Sequence, residues 1–117
     1  MKRESVYISA LNSSVSFVVG QSAADNFAVI DAASPDDMWF HAGGNESSCH
    51  VIAEISGVID KKQLRYIVKA GAVLCRQHTN RLKSAKNVEI IYTQVRNVAK
   101  TTIPGSVIAT NTKSVRI

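Results

Sequence analysis

Acidic residues are nearly missing from the second half of this 117-residue chain, where Glu89 stands alone among twelve lysines and arginines. The first sixty residues reverse the balance, with only Lys2 and Arg3 against eight carboxylates, so a net charge of +5 hides a segregated chain. Cysteine is scarce: Cys49 and Cys75 make a poor disulfide framework, which points to a reducing, intracellular address. No run of about 18 apolar residues exists, which excludes a membrane-spanning helix. The opening MKRESVYISA interrupts its basic residues with Glu4 and Ser5 and lacks the apolar core of a signal peptide. Repeats, linkers and low-complexity tracts are also lacking. What remains is 45% apolar and 20% charged, the balance of a globular chain, and its length fits one domain. Segregated cations are what a polyanion-binding face requires, provided they also cluster in space. A chain that uses charge only for solubility can have the same total.

Apolar alternation at Val6, Ile8 and Ala10, then at Val15, Phe17 and Val19, predicts a β-hairpin over residues 4–19. The alanine-rich stretch 22–33, with Ser22 as N-cap, reads as a short helix ended by Ser34-Pro35. DMWFHA and CHVIAEI read as two strands around a loop opened by Gly43-Gly44, and one long helix is expected from Asp60 to about Lys83. NVEIIYT is a strand and TIPGS a turn. SVIAT and KSVRI then form a closing hairpin through Asn111-Thr112. The sum is a single α+β domain over residues 1–117, a mostly antiparallel sheet of hairpins packed on one long and one short helix.

On that long helix, at about 100° per residue, Leu64, Ile67, Val68, Gly71, Leu74, Cys75, His78 and Leu82 form the face that must pack on the sheet. Lys62, Arg65, Lys69, Arg76 and Lys83 fall within an arc of about 60° on one flank of the opposite side. With no acid in the helix after Asp60, the stripe forgoes the i,i+4 pairing of an ordinary solvated helix. Such a stripe is either a solvated face or a bed for phosphates. Arg96 and Lys100 follow near Tyr92, which is either a core-edge tyrosine or a surface on which a base stacks.

The only tryptophan and two of the three histidines sit at the mouth of the Gly43–Ser48 loop. Strand alternation puts Trp39 and His41 on one face and Met38, Phe40 and Ala42 on the other. A zinc site would recruit from His41, Cys49, His50, Cys75 and His78, although adjacent Cys49 and His50 point opposite ways. A nucleophile pair of Cys49 with His41 or His50 lacks a legible acid orienter or oxyanion loop. The third reading is structural: the histidines fix the loop, Trp39 anchors the pair and needs a partner for its N–H, and Asp36-Asp37 hold the start of the strand or accept from the indole.

These residues carry a resemblance. Asp37-Met-Trp39-Phe-His41, a glycine-bearing loop and His50-Val51 resemble the D-x-W-F-H…S-H-V signature of the NFACT-R domain family. Downstream, Asn87-Val-Glu-Ile-Ile-Tyr92-Thr93, Asn97-Val-x-Lys100 and Pro104-Gly105-x-Val107 are similar to that family's strand, basic turn and closing P-G-x-V. Gly20…Asn26 fits its G-x-x-x-x-x-N lead-in. The resemblance covers nearly the whole chain and is nearest the small eukaryotic coiled-coil-domain-containing branch, which begins directly with this domain. It departs at Cys49, where a serine usually precedes the second histidine, and in a loop without the usual proline. The resemblance implies an α+β fold, no catalysis and no cofactor or metal, and a cytoplasmic role linked to ribosome-associated quality control. RNA, either tRNA or ribosomal RNA, would be the partner, with ribosome-associated proteins beside it and no membrane. It places Asp37, Trp39, His41, His50, Tyr92, Lys100 and Gly105 in signature positions. Phosphate contacts are then expected from Lys62, Arg65, Lys69, Arg76, Lys83, Arg96 and Lys100. An adaptor for an acidic protein surface and a zinc-binding domain or hydrolase are the competing expectations.

Overall fold

The computed structural model describes residues 1–44, 47–57 and 59–117. Asn45 and Glu46, within the expected Gly43–Ser48 loop, lie outside the described residues, as does Val58. In chain order the elements are β1 (Lys2–Ile8), β2 (Ser13–Gly20), α1 (Ala23–Ala32), β3 (Met38–Ala42), β4 (His50–Ala53), α2 (Lys61–Gln77), β5 (Glu89–Gln94), β6 (Val98–Lys100), β7 (Val107–Ala109) and β8 (Lys113–Arg116). Six strands form one sheet in the order β1-β2-β4-β3-β5-β8, every neighbouring pair antiparallel. β6 and β7 pair separately as a small hairpin. β1 and β8 are the outer strands, and β4 and β3 lie at the centre.

Both faces of the sheet are covered. α2 packs on one, where Phe17, Val19, Phe40, Val51, Ile90 and the α2 residues Ile67, Val68, Leu74 and Cys75 share a core. On the other, Trp39 and Ile52 pack with Val29 and Ile30 of α1 and with Val95, beside Val98, Val107 and Ala109 of the small hairpin. Cover on both sides explains why β3 and β4 read as nearly continuous apolar runs, since a strand with one wet face would alternate. The alternation of Trp39 and His41 against Met38, Phe40 and Ala42 holds, with Trp39 on the α1 side and Phe40 on the α2 side.

Helix starts follow the sequence closely. The Ser22 hydroxyl accepts from the Asp25 N–H at 3.1 Å. Asp60 and Gln63 form a reciprocal capping box: the Asp60 carboxylate accepts from the Gln63 N–H at 2.7 Å, and the Gln63 side chain accepts from the Asp60 N–H at 3.2 Å. Midway along α2, a Cβ on Gly71 would sit 2.4 Å from Cζ of Phe40, so glycine there lets the helix touch the ring.

Two expectations are corrected. α2 ends at Gln77 rather than near Lys83, so Lys83 lies in the turn that follows. The Thr79 hydroxyl donates to the Cys75 carbonyl at 2.8 Å and accepts from the Cys49 N–H at 3.3 Å, so a contact with the sheet replaces the next helical turn. The closing hairpin is also different, because SVIAT and KSVRI do not pair with each other. β7 pairs with β6 through the turn at Gly105, whose φ of +79° needs glycine, while β8 crosses to pair with β5. Asn111, at φ +54°, turns the chain between the two sheets.

Candidate nucleic-acid interface

The sequence put seven cations on one surface, and the structure divides them. Lys62, Arg65 and Lys69 are exposed along α2, Arg76 is half-buried in its last turn, and Lys83 is exposed just beyond. None of these five has a carboxylate within ion-pair distance among the described residues. Arg76 Nε is itself buried without a hydrogen-bond partner. Arg96 and Lys100 are different. Arg96 pairs with Asp36, and Lys100 pairs with Asp31 at 2.5 Å while lying 5.5 Å from the ring centroid of Phe27. Asp31 and Phe27 belong to α1, so Lys100 lies across the sheet from α2. Arg3, on β1, pairs with Glu54.

The signature residues converge on the α1 side, with Tyr92 as the exception. Trp39, 1% exposed, donates its indole N–H to Nδ1 of His50 at 3.1 Å. His50 is equally buried, and its backbone N–H donates to Oδ1 of Asn26 at 3.2 Å. Burial first, and the neighbouring His41 second, push the His50 pKa down to about 3, so the ring is neutral with its proton on Nε2. His41 stacks on Trp39 with centroids 5.5 Å apart and planes 11° from parallel, and meets His50 edge-on at 4.9 Å. Its Nδ1–H donates to the Ala42 carbonyl at 2.7 Å, and burial lowers its pKa as well.

Asp37 holds the start of β3 and does not accept from the indole. Its carboxylate takes the N–H of Ser34 at 2.9 Å and the N–H of Ile55 at 3.0 Å, joining the turn before β3 to the end of β4. Asp37→Ala strands both donors and is expected to lower stability by about 2 kcal/mol, read from the urea midpoint. Tyr92 sits on the α2 side, half-buried with its ring 6.1 Å from that of Phe40, as a core-edge tyrosine. Gly105 packs on α1, where a Cβ would meet Cα of Ala23 at 2.9 Å.

The metal and nucleophile sets are also separated. Cys49 and Cys75 join the α2-side core, whereas Trp39 and the rings of His41 and His50 stack together toward α1. Among the described residues, no group of three histidine, cysteine or acidic side chains is placed to hold a metal ion. The hydrogen bond with Cys49 and burial raise the Cys75 thiol well above its usual range. His78 instead shares a 2.7 Å contact with Glu4.

Sequence reading missed a groove of about 870 Å³ bounded by the start of α1, the β3–β4 turn, the Pro104-Gly105 turn and the segment after α2. His41 and His50 form part of its wall, as do Asn80 and Arg81. Arg81, inside the expected helix but off its cationic stripe, donates to the Ser47 carbonyl. Only the Gly20…Asn26 spacing hinted at this corner: a Cβ on Gly20 would lie 2.8 Å from the Asn26 oxygen that holds His50.

No helix among the described residues is long and apolar enough to cross a membrane. No protein-family model matches the chain, and no curated protein matches it. Among solved structures, the C-terminal part of the fibronectin/fibrinogen-binding protein from Streptococcus suis is similar, with a TM-score of 0.75 at 19% identity. The match covers 88% of this chain and 40% of that one, so the chain spans about two-fifths of the structure it resembles. At that identity the likeness establishes a shared fold.

Proposed function

We propose that this chain is an RNA-binding domain of the NFACT-R type, cytoplasmic and acting with tRNA or ribosomal RNA in translation quality control, without catalysis of its own. One observation carries the reading. Arg3, Arg96 and Lys100 are each matched by an acid from the first half of the chain, whereas Lys62, Arg65, Lys69, Arg76 and Lys83 have none among the described residues. Unmatched like charges repel by a few tenths of a kcal/mol per pair, a cost that a phosphate backbone on this face removes. Lys62 to Arg76 spans about 21 Å of helix at the usual rise per residue, enough to follow a strand over several phosphates.

Five phosphates neutralised on a single strand give a slope of about −3.5 for log affinity against log salt, or about a hundredfold loss between 50 and 200 mM. Gel-shift titration against tRNA, ribosomal RNA and single-stranded DNA at both salts measures it, and a salt-insensitive affinity overturns the reading. Joint replacement of Lys62, Arg65 and Lys69 by glutamate abolishes binding while the melting temperature stays within a few degrees. Arg76 is left alone in that variant because its buried Nε would confuse folding with binding. Partner capture that survives nuclease treatment would instead assign this face to an acidic protein.

A further inference from the structure

The groove on the α1 side has a set of hydrogen-bonding groups that the fold leaves unused. α1 spans ten residues, and in its first turn the backbone N–H groups of Ala23 and Ala24 have no acceptor among the described residues; of the two, Ala23 lines the groove. The N–H groups of Asp25 and Asn26 are already taken by the hydroxyl and carbonyl of Ser22. A second donor is independent of the helix. His50 is 1% exposed and forms part of the groove wall, and its Nδ1 is occupied by the Trp39 indole. The proton therefore sits on Nε2, for which no acceptor exists among the described residues. The ring is otherwise almost wholly enclosed, so this nitrogen is the part of His50 left to meet a ligand in the groove. His41 supplies the complement. Its Nδ1–H is committed to Ala42, which leaves Nε2 as a lone-pair acceptor on a half-buried ring backed by Trp39.

We infer that the groove binds one nucleotide unit, its base edge hydrogen-bonded to His41 and His50 and its phosphate at the start of α1, where the Ala23 N–H is open. A base edge offers a donor beside an acceptor, which is what an acceptor on His41 and a donor on His50 would pair with. A helix start favours the phosphate through its exposed amides and dipole. The one carboxylate of the first turn, Asp25, is held by the terminal ammonium at 2.9 Å. A volume of about 870 Å³ suits a nucleotide within the usual range of ligand pockets. The nucleotide would be either a free 5′-monophosphate or a single splayed residue of an RNA. The inference rests on the groove's own geometry and is independent of the α2 reading.

Amide and imidazole NMR of the full chain, titrated with millimolar 5′-nucleoside monophosphates, is the test. The Ala23, Ala24 and His50 signals are expected to move, with nucleosides and inorganic phosphate binding at least about tenfold more weakly. Ala23→Pro removes one N–H at a helix position that tolerates proline, and His41→Phe keeps an aromatic ring beside Trp39 but removes the acceptor. Each is expected to weaken nucleotide binding about tenfold. The Lys62, Arg65 and Lys69 charge reversal should leave nucleotide affinity within about twofold, so the groove and the α2 face fail separately. A short oligoribonucleotide that competes more tightly than the monophosphate assigns the site to RNA, and weaker competition assigns it to a free nucleotide. No shift at millimolar nucleotide, or equal shifts from phosphate alone, overturns the inference.

Discussion

Acidification from pH 7 to pH 4 is expected to lower the folding free energy by about 3 kcal/mol through His50 alone. Its folded pKa is about 3 against an ordinary 6.5. The unfolded chain therefore takes up a proton below 6.5 that the folded chain refuses until about 3, and ν_U exceeds ν_N across that window. The stability is complete above pH 6.5 and is lost as pH falls toward 3, at up to about 1.4 kcal/mol per pH unit. The lowered pKa of His41 acts in the same direction. Protonation would also place an Nδ1–H against the Trp39 N–H, donor against donor, where a 3.1 Å hydrogen bond now stands. Urea unfolding at pH 7, 6, 5 and 4 measures the slope. In His50→Gln, whose amide oxygen can still accept from Trp39, the slope should flatten; an unchanged slope would remove His50 as its source.

Phe40→Ala is expected to cost about 4 kcal/mol, a large part of a stability that for small domains is about 5–15 kcal/mol. Phe40 has no exposed surface and fills the space between the central strand β3 and Gly71 of α2. The same contact sets the sign of the reverse change. Gly71→Ala gains about 1 kcal/mol of helix propensity. It also forces a methyl to 2.4 Å from a ring with no room to retreat, an overpacking that costs about 1–3 kcal/mol or more. The net effect should be destabilising in the native background and should shrink or reverse beside Phe40→Leu. Additivity of the two changes within about 0.5 kcal/mol would show that the ring is not what excludes a larger residue.

Local chemistry was legible in the sequence. Period-two alternation sorted Trp39 and His41 from Phe40, and Ser22 and Asp60 marked two helix starts because capping is settled within three residues. What could not be read depends on distant partners. Apolar spacing continues through His78 to Leu82, but Thr79 leaves the helix for Cys49, thirty residues earlier. Asn111-Thr112 looks like a hairpin turn because an asparagine with positive φ serves a crossover equally well. Counting charges by half-chain showed segregation but not that Asp31 and Asp36 reach forward to Lys100 and Arg96. The groove needs four segments, and only folding brings Gly105 against Ala23.

The strand order leaves two unpaired margins, one along β1 and one along β8. Each is a template on which a foreign strand can add; β1 carries Lys2, Glu4 and the Glu54-paired Arg3, and β8 carries Lys113 and Arg116 with no acid. Two copies meeting along β8 would bring Lys113 and Arg116 of one against those of the other. Along β8 that like charge guards the sheet against growing into a fibril.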